Sequence, residues 1–220
     1  MSNLVNDIPI GVDCPIKINA IVEVEKDSNS KYEYVEDLNI FKLSRCLYSS
    51  MRYTCSYGFI PQTFALDNDP LDILIYNNVP LRTSTLVEVK PIGCLDMDDT
   101  GEKDFKVVAV PSTHVKDYKS LKDLDPHWLK TTLNFFTHYK DLEESKSVVI
   151  NGWVGKTETK KIINEAHKRW KSKCCRNVNK IGFILKYFKA ITLEDWQALF
   201  EGSYHPPKAS IQRGCIVLSC

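Results

Sequence analysis

Between Ile18 and about Asn151 the apolar positions fall in short runs: "INAIVEVE", "YEYV", "IFKLSR", "DILIY", "STLVEVKPIGCL", "KVVAVP" and "SVVING". Clusters of Pro, Gly, Asn and Asp separate them, which is the pattern of strands divided by turns. In the first run Ala20, Val22 and Val24 alternate with Ile21, Glu23 and Glu25, the two-residue period of a strand whose faces meet different surroundings. Strands at irregular spacing with no helices between them predict an antiparallel barrel and not a parallel α/β sheet.

The period then lengthens. In "DPHWLKTTLNFFTHYKDLEE", Asp125 suits an N-cap and Pro126 the first helical position, and Trp128, Leu129, Leu133, Phe136 and Leu142 follow helical spacing. A second helix is predicted from Lys156 to Lys173, with Ile162, Ile163, Ala166 and Trp170 on one face. The fold class is therefore α+β, mainly β: a barrel with two late flanking helices. Residues 1–173 read as one domain with its core from about 18, and residues 174–220 as an extension of different character. In that extension "TLEDWQALF" suits a short amphipathic helix capped by Thr192. A segment that packs or binds a partner, an isoform-specific end and a poorly anchored appendage all fit the extension.

Composition narrows the class. With 43% apolar and 26% charged residues the chain is of globular type. Its formal net charge of +1 carries no general affinity for nucleic acid or membranes, so any electrostatic specialisation is local. No uninterrupted apolar run reaches the roughly 18 residues a membrane span needs. The start "MSNLVNDIPIGVDCP" lacks a basic segment followed by an apolar one, and neither it nor the ending "CIVLSC" matches a lipidation signal, so a cytoplasmic location is expected. The 8 cysteines show no zinc-type spacing, and most are expected to be small buried apolar residues.

One stretch raises a chemical question. "DNDPLD" places Asp67, Asp69 and Asp72 within six positions, and "DMDDTGEKDFK" adds Asp96, Asp98, Asp99 and Asp104 around a turn at Thr100-Gly101. Asp also favours turns for hydrogen-bonding reasons, so each loop alone reads equally well as a solvated turn. Mg²⁺, however, binds through a few carboxylates together with phosphate oxygens. Lys31, Arg45, Lys106 and Lys140 fall in strand-like or helix-terminal contexts of the barrel region, which also holds Tyr32, Tyr53, Tyr57 and Tyr139. Acidic loops, cations and tyrosine hydroxyls together suit a phosphate-rich substrate.

These segments resemble family I soluble inorganic pyrophosphatases. "DNDPLD" matches the family's D-x-D-P-x-D signature, and "KYEY", "YSSMRYTCSYGFIPQT", "KPIGCLDMDD", "GEKDFKVVAVP", "FFTHYKDLE" and "NGW" fall in the family's order at similar spacing, covering about residues 18–173. The resemblance implies a five-stranded OB-like barrel and Mg²⁺-dependent hydrolysis of pyrophosphate to two orthophosphates. It implies that Asp67, Asp72, Asp99 and Asp104 bind several Mg²⁺ ions directly, Asp72 bridging two, and that Glu23 and Glu33 hold ions through water. Asp69 would take the proton of the attacking water. Lys31, Arg45, Tyr57, Tyr139 and Lys140 would grip the phosphates, with Lys106 nearby and Tyr53 supporting the wall. Self-association as a dimer or hexamer is also implied.

The chain departs from the family pattern at Ser44, where Asp is usual before Arg45, at Thr54, where Pro is usual, and after Glu23, where "VEK" replaces E-x-P. None of these removes a matched ligand; each alters the supporting residues. Three other readings compete with the enzyme. An OB-type module for single-stranded nucleic acid conflicts with the acidic loops. A pseudoenzyme scaffold conflicts with the competence of every matched position, and a phosphatase acting on esters would share the metal chemistry. "GWVGKT" lacks the first Gly of a phosphate-binding loop, because position 150 is Ile, and reads as entry into a helix.

Overall fold

The computed structural model describes residues 3–113, 117–144, 147–189, 208–212 and 215–219. By backbone proximity the chain divides into two compact units, 1–173 and 174–220. The first contains β1 (Ile18–Val24), β2 (Ser30–Val35), β3 (Ile40–Cys46), β4 (Ser56–Phe59), β5 (Asp72–Ile75), β6 (Leu86–Asp99), β7 (Glu102–Pro111), α1 (Pro126–His138) and β8 (Val148–Gly155). A helix, α2 (Lys156–Lys189), starts in the first unit and ends in the second. In the second unit β9 (Lys208–Gln212) pairs antiparallel with β10 (Cys215–Ser219). The predicted helix at "TLEDWQALF" lies outside the described residues.

Five strands close on themselves in the order β1-β4-β5-β7-β6, because β6 returns to pair with β1. This is the expected OB-like ring, and it leaves no free sheet edge among its members. One edge of β6 pairs first with β1, from Leu86 to Val89, and later with β8, from Gly93 to Asp99. The β2–β3 hairpin forms a separate two-stranded sheet. The ring is not wholly antiparallel as predicted: β5 and β7 run parallel, Asp72 opposite Lys106. A parallel neighbour requires a long crossover, and the segment containing β6 supplies it.

Strand alternation divides the core. Leu74, Val108 and Val110 belong to the cluster under Phe135 and Phe136 of α1. Ile73, Ile75, Val107 and Ala109 turn to the other side, under Ile162, Ile163 and Ala166 of α2. Burying each such aliphatic side chain contributes about 1.5–3 kcal/mol relative to leaving it exposed. The four residues of β4 carry too short a pattern to predict a strand. Its Gly58 is required by proximity, since a Cβ there would lie 1.8 Å from the Ile21 carbonyl oxygen of β1.

α1 begins as predicted: Pro126 is the first residue and the Asp125 carboxylate accepts the His127 N–H at 2.9 Å. Such a cap is worth about 1 kcal/mol. The helix stops earlier than predicted, at His138; Leu142 lies beyond it and is exposed. Residues 139–143 instead form a turn closed by the Glu143 N–H on the Lys140 carbonyl at 2.8 Å. α2 starts at the predicted residue, following directly on β8 at Gly155, and runs past the predicted end at Lys173 to Lys189. Among the described residues, no helix is long and apolar enough to cross a membrane.

Candidate active site

A cavity of about 180 Å³ gathers residues from five parts of the fold: Lys31 and Arg45 from the hairpin, Tyr53 and Tyr57, the loop carrying Asp67, Asp69 and Asp72, Asp99, Asp104 and Lys106 of the β6–β7 ribbon, and Tyr139 and Lys140 after α1. An adjoining cavity of about 330 Å³ shares Lys31, Tyr57, Asp69 and Asp72 and adds Glu23 and Glu33. Every residue that the family resemblance assigns to the site thus borders one or both cavities. Asp96 and Asp98 of the second acidic loop do not; they pair with Lys103 on β7.

Local structure explains how each arrives. In the "DNDPLD" loop the Asp69 N–H bonds to Asp67 Oδ1 at 2.9 Å, and Asn68 takes a left-handed conformation (φ 72°) that Asn tolerates. Leu71 is then buried, its N–H held by Thr63 Oγ1 at 3.0 Å, so Asp72 enters β5 in fixed register. The predicted turn at Thr100-Gly101 is present with φ of 55° and 87°, which places Asp99 and Asp104 on facing strands. Glu23 follows Val22 at a register shift in β1, and its carboxylate accepts the Tyr34 N–H of β2 at 2.9 Å.

Buried ion pairs dominate the electrostatics. The Lys106 side chain is only 3% exposed, and its Nζ lies 2.6 Å from Asp72 and 2.8 Å from Asp104, with the rings of Tyr57 and Phe136 beside it. Burial opposes its charge, but the two carboxylates outweigh burial and raise its pKa well above the ordinary value. Lys140 pairs with Asp99. Burial raises Asp99, yet the bonds from Lys140 and Thr100 prevail and leave it below the usual carboxylate value. Asp69 is raised by burial and by the negative charges of Asp67, Asp72 and Glu33. Burial pushes Glu23 to about 8 and Tyr53 to about 12, and raises Tyr57 well above its ordinary value, so both tyrosines remain proton donors near neutral pH.

The two cavities are lined by eight carboxyl groups and four cations, a negative surplus even with Glu23 protonated. Hard carboxylate oxygens in surplus suit Mg²⁺. Among the described residues no group of three or more acidic, His or Cys side chains is arranged to hold a metal as it stands. Lys106 acts as the counter-charge to Asp72 and Asp104, and Lys140 as that to Asp99.

The substituted positions have found partners. Burial works to raise the Glu33 carboxyl, but the charge of Lys31 and its bond at 2.6 Å, with smaller contributions from the Ser44 hydrogen bond and from Arg45, hold it below its usual value. Thr54 Oγ1 meets the buried Thr132 Oγ1 of α1 at 2.8 Å, and its carbonyl accepts the Trp128 indole N–H at 3.2 Å. Sequence reasoning assigned no role to Phe136, which lines the cavity, or to Glu143, which bonds Arg45 at 2.6 Å. Glu143 closes the "FFTHYKDLE" block, and its charge three residues after Lys140 was the available signal.

Comparison with known proteins agrees in extent and kind. The inorganic pyrophosphatase family model matches residues 20–171. The inorganic pyrophosphatase of Sulfolobus acidocaldarius is 42% identical over 163 residues, spanning 72% of this chain and 94% of the relative. The crystal structure of the Thermus thermophilus inorganic pyrophosphatase superposes with a TM-score of 0.75 at 33% identity, covering 77% of this chain and 99% of that one. The Schistosoma japonicum inorganic pyrophosphatase is similar at a TM-score of 0.69 and 28% identity, over 76% of this chain and 70% of its own.

Proposed function

Because the chain belongs to the inorganic pyrophosphatases, enzymes that hydrolyse pyrophosphate, we propose that it does so with Mg²⁺ and with Asp69 as general base. The observation that carries this reading is the convergence of Asp67, Asp69, Asp72, Asp99 and Asp104 with Lys31, Arg45, Lys106 and Lys140 on one cavity. Asp67, Asp72, Asp99 and Asp104 would hold Mg²⁺ directly, and Glu23 and Glu33 through water. Bound Mg²⁺ would supply charge neutralisation at the phosphates and acidify water.

The chain's own groups do the remainder. Asp69 accepts the proton of the attacking water, and burial together with the carboxylates around it makes it more basic than an isolated Asp. Lys31, Arg45 and Lys140 bind phosphate oxygens as charge-assisted donors, while the protonated Tyr57 and Tyr139 orient them. These same cations stabilise negative charge as it builds on the departing phosphate. Lys106 balances Asp72 and Asp104, and Tyr53 backs the wall through its ring contact with Tyr57.

The test is phosphate release from pyrophosphate with Mg²⁺ and with a chelator, in wild type, Asp69→Asn and Asp72→Asn. Turnover should require the metal, and Asp69→Asn should lose about 10²–10⁴-fold in kcat, the range for removal of a general base. Full activity in Asp69→Asn would remove its assigned role, and metal-independent turnover would remove the ion-binding role of the carboxylates.

A further inference from the structure

We propose that Glu143 is a positioning residue for Arg45, holding the guanidinium at the cavity wall in the orientation that binds a phosphate; this rests on the pyrophosphate-hydrolysis reading. Arg45 projects from the exposed β3 strand, where most neighbouring side chains face solvent and cannot restrain it. The restraint comes from 98 residues away: Arg45 Nη1 donates to Glu143 Oε2 at 2.6 Å. The Tyr139 ring supports the same guanidinium, with its central carbon 5.7 Å from the ring centroid.

Both supports come from the turn after α1. Because the helix ends at His138, that single turn presents the Tyr139 ring and the Glu143 carboxylate to Arg45 and the Lys140 ammonium to Asp99. Glu143 is 10% exposed against 26% for Arg45, so the carboxylate is the more firmly embedded partner. The pair is pinned at one corner and not saturated: among the described residues, Arg45 Nε and Glu143 Oε1 are buried without a hydrogen-bond partner. The residue before Arg45 is the uncharged Ser44, and among the described residues Glu143 is the carboxylate within ion-pairing distance of the guanidinium. A planar guanidinium offers its donors in a fixed fork, so fixing one corner fixes the direction of the others toward a ligand.

The experiment is a double-mutant cycle with two readouts: pyrophosphate hydrolysis, and calorimetric binding of methylenediphosphonate, a bisphosphonate that cannot be hydrolysed. Glu143→Gln keeps the side-chain shape but removes the charge. It should weaken analogue binding by about 5–30-fold, the scale of coupling between contacting groups, and should raise KM and lower kcat together, because Arg45 serves both the bound phosphate and the charge that builds on the departing one. In an Arg45→Gln background the same change should add less than about twofold to any of these values, because the group it positions is gone. Glu143→Asp, which retains the charge, should fall between wild type and Glu143→Gln, and supplies the cycle should the Gln variant not fold. Unchanged binding and KM in the folded Glu143→Gln protein, or effects that multiply with those of Arg45→Gln, would overturn the proposal. A wild type that binds the analogue without cleaving pyrophosphate would overturn the functional reading instead, and the binding cycle would still judge Glu143.

Discussion

Asp72 and Lys106 face each other across β5 and β7 inside the closed ring, and their ion pair is shut off from water on the Lys106 side. Lys31 and Glu33 also pair, at 2.6 Å, yet they stand on the β2–β3 hairpin with 22% and 46% of their side chains exposed. The hairpin is held by side chains and not by ring membership: Tyr34 stacks on Phe59, with Phe41 beside it. The two adjoining cavities thus have a wall whose charges depend on one another and a wall whose charges are partly compensated by solvent. The contrast teaches that similar distances between ions imply different energetics, because the cost of losing a partner is set by how completely water is excluded.

The largest test is to delete a cation from the ring. Lys106→Met leaves Asp72 and Asp104 without their shared partner and should cost about 3–5 kcal/mol by urea denaturation in chelator. Glu33→Gln on the hairpin should cost less than about 1 kcal/mol; equal losses would erase the contrast. A smaller effect is expected from pH. Native Glu23 titrates at about 8 against an ordinary value of 4.5, so between these values the native state holds a proton that the unfolded chain has lost. Metal-free stability should therefore fall as pH rises from about 5 to 8, by at most about 3–4 kcal/mol, because each tenfold difference in proton affinity between the native and unfolded chain is worth about 1.4 kcal/mol. Glu23→Gln should flatten the fall. The same urea midpoints measure this, and an unchanged slope in the variant would refute it. The smallest perturbation is chemical labelling. Cys46 on the hairpin is exposed, whereas Cys55 and Cys94 are buried, burial pushing the Cys55 thiol up to about 12. A thiol reagent at pH 8 should modify Cys46 and spare Cys55 and Cys94 in the native protein, as read by peptide mass spectrometry.

What could be read from the sequence divides along similar lines. Seven of the eight strands of the first unit, the α1 cap and the α2 start follow from periodicity and capping residues, which are local signals. β4 escapes such signals because "SYGF" is short and its Gly58 answers to β1, not to its neighbours in the chain. The apolar pattern of β6 ends near Leu95; the strand continues through the acidic residues because β7 and β8 both pair with it as far as Asp99. The predicted end of α1 is too late, since helical spacing continues to Leu142 while the chain leaves the helix and presents Lys140 to Asp99. Clustered acids and the family resemblance pointed to the candidate site residues. They did not point to the Arg45–Glu143 bond, because no periodicity links residues 98 positions apart.

The parallel register of β5 and β7 reaches beyond catalysis. Asp72 and Lys106 become neighbours only when strands on either side of β6 come together, a late event when contacts distant in sequence must await loop closure. A nascent or misassembled chain that has made every local hairpin, yet left the circle incomplete, holds these acids apart and cannot present a formed pocket to a ligand.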